Sequence, residues 1–133
     1  MKYLIAFGIC LLTTALSAQQ KQYLLIIRSK TKAATTTSAE AIKTNIQHWT
    51  AWMTELGKNG KIAGGYRPTN DGVTVSADKT TQTSPYIANG EMVSSFLIIN
   101  ATDLDDAKQI AVKCPVLELQ GNVEIRAIQN MAK

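Results

Sequence analysis

His48-Trp49-Thr50-Ala51-Trp52-Met53-Thr54-Glu55-Leu56, then Gly57-Lys58-Asn59-Gly60, then Lys61-Ile62-Ala63-Gly64-Gly65-Tyr66, reads as an amphipathic helix, a glycine stop and a strand that starts at once. Ser38 is a good N-cap for that helix, with Glu40 in its first turn. Ile42, Ile46, Trp49, Met53 and Leu56 recur every three or four residues and predict the buried face. Asn45, His48 and Trp52 make a second stripe at its edge. Gly57 and Gly60 end the helix, and Lys58 suits the negative end of its dipole.

Outward from this core, the remaining elements follow by pattern. Gln22 to Arg28 is a short run of apolar and β-branched residues, a buried strand, and residues 29–37 form a loop. Pro68-Thr69-Asn70-Asp71-Gly72 predicts a reversal into Val73-Thr74-Val75, with positive φ at Asp71-Gly72. Asp78 to Asn89 is polar and unpatterned, a long loop. Ser95 to Asn100 is the clearest strand. Asp103 caps a second helix with Leu104, Ala107, Ile110 and Ala111 inward, ended by Cys114-Pro115. Asn122 to Ile128 alternates and makes the last strand. Strand, helix, hairpin, strand, helix, strand is an α+β order of the ferredoxin-like kind: an antiparallel sheet backed by two helices. The open face of such a sheet needs a cover, and a second copy packing sheet to sheet, a homodimer, is the economical one.

Ahead of these elements, Met1-Lys2, an apolar run from Tyr3 to Leu12 and small residues up to Ala18 have the grammar of a secretory signal peptide. The run is shorter than the about 20 residues a membrane span needs. A lipoprotein cut at Cys10 is disfavoured by bulky Ile9, and an uncut anchor is the other alternative. The expectation is a leader over residues 1–18, one domain over 19–133, and an exported, periplasmic or secreted, protein without a stable membrane span. Losing Lys2 leaves 13 of the 14 basic residues against 10 acidic ones, scattered, which speaks against a nucleic-acid stripe. Cys114 is then the sole cysteine, so no intrachain disulfide forms.

The order and spacing of the Trp49/Trp52 helix, Gly60, Gly64-Gly65 and Asp71-Gly72 with Val75 carry a resemblance. So do Pro85-Tyr86, Glu91, the strand from Phe96 to Asn100, Asp105-Asp106-Ala107, Cys114-Pro115 and Glu124-Ile125-Arg126. From Gln22 to Gln129 they resemble the YCII-related domains, in particular the branch known for an Asp-Gly-Pro-Phe motif. That motif stands here as Thr83-Ser84-Pro85-Tyr86, without its acidic member. The resemblance implies a dimeric α+β barrel. In several YCII-like proteins it further implies an acid–base pair of a helix histidine and a nearby aspartate. His48 matches the histidine, whereas Lys58 and Asn59 stand where the aspartate would fall.

Among candidate site residues His48 comes first, because imidazole titrates near neutrality and a carboxylate beside it fixes its tautomer. Asp71 or Glu91 would supply that carboxylate if the hairpin or the loop folds toward the helix. Trp52 would floor a cleft, Gly65 would let a ligand approach closely, and Arg126 would clamp an anion. Each has a plainer structural use: core packing, a strand bulge, an ion pair with Glu124 or Glu91. One histidine, one cysteine and dispersed carboxylates give no zinc spacing, and no phosphate loop or serine elbow is present, so no metal or cofactor is expected. Two functions follow: a small-ligand-binding protein with its cleft near His48, or a cofactor-free lyase or isomerase using His48 as acid or base.

Overall fold

The computed structural model describes residues 20–129 apart from residue 35, and the leader expected over residues 1–18 lies outside the described residues. β1 (Lys21–Lys30) pairs antiparallel with β5 (Glu91–Ala101) on one side and with β6 (Asn122–Ala127) on the other. β2 (Ile62–Tyr66) completes the sheet on the far side of β5, giving the order β2-β5-β1-β6. α1 (Ala39–Lys58) and α2 (Leu104–Ala111) cover one face of this four-stranded sheet. The chain is thus an α+β protein with an antiparallel sheet and two helices.

Strand alternation decides which face they cover. Tyr23, Leu25 and Ile27 of β1 and Leu97, Ile99 and Ala101 of β5 are buried on one side, where Trp52 and Leu56 of α1 and Ala107, Ile110 and Ala111 of α2 meet them. Their neighbours Leu24, Ile26, Phe96 and Ile98 point to the opposite face and stay partly exposed. Tyr66 and Val93 on that face are exposed, and Tyr66 leans on Phe96 with ring centroids 5.7 Å apart.

Both helices start on side-chain caps. Ser38 Oγ accepts from Ala41 N–H at 3.2 Å, and Asp103 accepts from Asp106 N–H at 2.8 Å. Asp106 then accepts from Lys61 Nζ at 2.9 Å and Thr102 N–H at 3.0 Å, tying α2 to the entry of β2. Those bonds, Lys61 foremost, hold its carboxyl below the usual range. Cys114 is sealed in the core, where burial pushes its thiol up to about 11, so it packs as a small apolar residue.

Three sequence expectations need correction. The inward stripe of α1 is Asn45, Trp52 and Leu56 with Trp49 and Met53 partly buried, while Ile42 and Ile46 are 45% and 60% exposed. Polar Asn45 conceals this stripe from a hydrophobic pattern; its place is explained below. Leu104 is likewise exposed, leaving Ala107, Ile110 and Ala111 to pack α2.

The second correction concerns the hairpin: β2 pairs with β5, and Thr74–Val75 (β3) pairs instead with Thr81–Gln82 (β4) in a separate two-stranded sheet. Gly72 does not take positive φ; the reversal lies at Ser76 to Thr80, where Asp78 accepts from the Thr80 N–H and hydroxyl and Lys79 sits at φ 68°. The third is at Asn89, the end of the expected loop, with Gly90 after it. With φ of 52° and 70°, between mutually bonded Ala88 and Glu91, they form the tight primed turn that launches β5.

Gly65 is fixed by the close approach of β2 to β5 beside the register shift between Ile62 and Gly64. A Cβ there would meet the Phe96 carbonyl oxygen at 2.8 Å as well as the Leu97 side chain. Because backbone cannot yield as a flexible side chain does, Gly65→Ala should destabilise the fold by about 1–3 kcal/mol. Urea unfolding monitored by tryptophan emission checks this, and an unchanged midpoint would contradict it.

Candidate functional site

Two cavities flank the sheet near its β2–β5 end. The first, about 610 Å³, opens on the helix side between α1 and the β2–β5 edge. Ile42, Ile46, Trp49 and Met53 form its helix wall, which explains why the first two escape the core. Gly65 and Leu97 line the sheet side, with Ser29, Ser94, Ser95 and Arg67 adding polar groups. A concavity of this size, mainly apolar with a few polar groups, suits a small organic ligand.

Within that lining the serines are ordered by the bulge in the β1–β5 ladder at Ile27/Arg28. Ser94 Oγ donates to the Ile27 carbonyl at 3.3 Å, and Ser29 Oγ donates to Ser94 Oγ at 2.7 Å. Ser95 has no hydroxyl partner among the described residues.

Asn45 links this cleft to a second group of residues. It lines the cleft, yet its amide donates to the Pro115 carbonyl at 2.6 Å and to Glu118 Oε2 at 2.9 Å. Being buried, it needs both bonds, and they seat the short 3₁₀ turn Pro115–Leu119 against α1. One turn along α1, His48 Nδ1 lies 2.9 Å from both Glu118 oxygens. The imidazole and the Asn45 amide, in that order of strength, hold the Glu118 carboxyl below the usual range. The His48 side chain is 52% exposed.

The other expected site residues are scattered by the fold. Asp71 and Glu91 do not reach His48. Asp71 lines the second cavity, about 650 Å³, which lies between the arm of residues 68–88 and the side of the sheet away from the helices. Glu91 lines it too, paired with Lys30 at 2.8 Å and accepting from Asn122; Lys30, above all, holds its carboxyl low. Trp52 is core rather than cleft floor: it is 5% exposed and stands edge-on to Trp49 at 5.5 Å. Gly65 does line the cleft, although strand packing alone demands a glycine there. Arg126 lies on β6 on the opposite face, bound to Glu124 at 3.0 Å, and Glu124 also holds Arg28 at 2.9 Å. Those two arginines, Arg126 first, keep the Glu124 carboxyl low.

Sequence reasoning missed Glu118, because Pro115 to Leu119 reads as a connector and only Pro115 hints at a helical start. It also missed Arg67 and Ser95, whose position beside α1 depends on β2 pairing with β5. Among the described residues no group of three His, Cys, Asp or Glu is arranged to hold a metal ion, and no helix is long and apolar enough to cross a membrane.

The family model described as the YCII-related domain matches residues 21–132, and the chain belongs to that family. No curated protein matches the chain.

The Glu118 contacts make stability depend on pH in one direction. A carboxyl held low in the folded state stabilises it above the unfolded value, ordinarily 4.5, and that contribution disappears as pH falls through the folded value. Glu118 is 46% exposed, so the effect is modest, at most about 1 kcal/mol. Glu118→Gln should therefore unfold more easily than the native chain at pH 7, by a margin that narrows as the pH is lowered to 3. A difference between them that persists undiminished at pH 3 would contradict the assignment.

Proposed function

We propose that this YCII-related protein binds a small organic ligand in the cleft between α1 and the β2–β5 edge. The observation that carries the reading is the exposure of Ile42 and Ile46 on the wall of a cavity whose remaining surface is largely apolar. Such side chains gain about 25 cal/mol for each Å² they hide from water. The cleft adjoins the His48–Glu118 pair through Asn45, one turn away on α1. Its walls are Trp49 and Met53, in place of the Trp52 floor anticipated from the sequence.

One contact favours a second reading, proton transfer by His48. A carboxylate on Nδ1 selects the tautomer that leaves Nε2 as the base, and Glu118 stands where that role requires a partner. Asp71 and Glu91 are not needed for it. The same variants separate the two readings. With the neutral fluorophore N-phenyl-1-naphthylamine, saturable one-to-one binding is expected, weakened more than tenfold by Ile46→Asp and less than twofold by His48→Ala. Failure of the native chain to bind any small apolar probe would dismiss the binding reading. Uptake of solvent deuterium at carbon in a panel of small carbonyl compounds, abolished by His48→Ala and by Glu118→Gln, would put the second reading first.

The finer architecture is proposed with it. The strand order is that of a ferredoxin-like unit, and the partly exposed Leu24, Ile26, Phe96 and Ile98 make an apolar sheet face suited to a second copy. Two such faces stacked about 10 Å apart would form a dimeric α+β barrel. The Asp-Gly-Pro-Phe branch is the proposed affiliation within the family, and export after cleavage behind Ala18 the proposed route. The exported protein is then expected to begin at Gln19 by N-terminal sequencing and to sediment as a dimer, with Ile26→Asp reducing it to a monomer. An uncut N-terminus would overturn the export reading, and a native monomer at micromolar concentration the dimer.

A further inference from the structure

The chain has three arginines, and the structure treats one of them differently. Arg28 and Arg126 share Glu124, on the face away from the helices. Arg67 has no ion-pair partner among the described residues. It follows directly on β2 and contributes to the lining of the helix-side cleft, where it is the single charged residue. No carboxylate on that lining neutralises it.

The β2–β5 register brings a hydrogen-bond donor to the same place. Gly65 pairs with Leu97 and Tyr66 with Phe96 at the end of β2, and Arg67 is the next residue. Ser95 lies on β5 two residues before Leu97, on the same face, and Arg67 and Ser95 both line the cleft. The Ser95 hydroxyl is free to donate, whereas Ser29 and Ser94 spend their protons on each other and on the Ile27 carbonyl. Across from this pair the wall is Ile46, Trp49 and Met53, with no charge at all.

We propose that the cleft selects an amphipathic carboxylate, with its apolar body against Trp49 and Met53 and its carboxylate held by the Arg67 guanidinium and the Ser95 hydroxyl. This rests on the cleft being the binding site, as argued above. A guanidinium fork matches a planar carboxylate with two parallel N–H···O bonds, and one arginine balances one negative charge. A dianionic phosphate would bring a second charge that no cleft residue offsets.

The test compares two ligands of nearly identical shape, 1-naphthylacetate and its neutral amide, titrated calorimetrically into the full-length protein. The carboxylate is expected to bind at least about tenfold more tightly than the amide. Arg67→Gln should erase that preference while leaving affinity for the amide within twofold, and Ser95→Ala should reduce it severalfold. Thermal unfolding of each variant confirms that it is folded, which exposed Arg67 makes straightforward. Equal binding of the two ligands to the native chain, or equal weakening of both by Arg67→Gln, overturns the carboxylate inference and leaves the cleft standing. Binding of neither overturns the cleft reading itself.

Discussion

Leu25, Ile27 and Ile99 are wholly sealed from solvent on one face of the sheet, and the rest of the molecule is arranged around that one-sidedness. A β-strand alternates its side chains, so burying those positions commits Leu24, Ile26 and Ile98 to the other face. Both helices must lie on the first face, because that is where apolar area is hidden. Everything chemically distinctive then sorts to one side or the other. The His48–Glu118 pair and the Arg67 cleft lie with the helices. The Arg28–Glu124–Arg126 cluster and the second cavity lie across the sheet.

Asn45 is the joint between packing and chemistry. A buried amide is costly unless both its donors are used, and here they fasten the Pro115–Leu119 turn to α1. That fastening sets Glu118 beside His48. Trp52 and Leu56, two and three turns further along the same face of α1, enter the core. Ile42 and Ile46 are consequently carried to the open side of the helix, and a cleft lies beneath them. One polar residue in a core stripe thereby accounts for both the ion pair and the apolar wall.

Much of the fold was legible because each element carried a local signal. Ser38 and Asp103 cap the helices as expected, Gly60 takes its positive φ beyond α1, and the strands alternate as their residues predict. The site was far less legible. His48 is recognisable by type, since it is the only histidine, but nothing local marks Glu118 rather than Asp71 or Glu91 as its partner. Those carboxylates are drawn off by nearer neighbours, Glu91 by Lys30 and Asn122. Asn89-Gly90 had a readable turn signal, while Asp71-Gly72 had one that the fold does not use in that way.

The family, the two helices, the main strands and the burial of one sheet face are legible in the residues alone, because periodicity, caps and turn chemistry act over a few residues. Tertiary structure alone decided which carboxylate meets His48, which tryptophan is core and which is wall, and which arginine is left without a counter-ion. Those outcomes depend on pairings across tens of residues: β2 with β5, and α1 with the Pro115–Leu119 turn, 70 residues apart at Asn45 and Pro115. No local pattern encodes them, since each is settled by competition among all the donors, acceptors and apolar surfaces that the folded chain brings within reach.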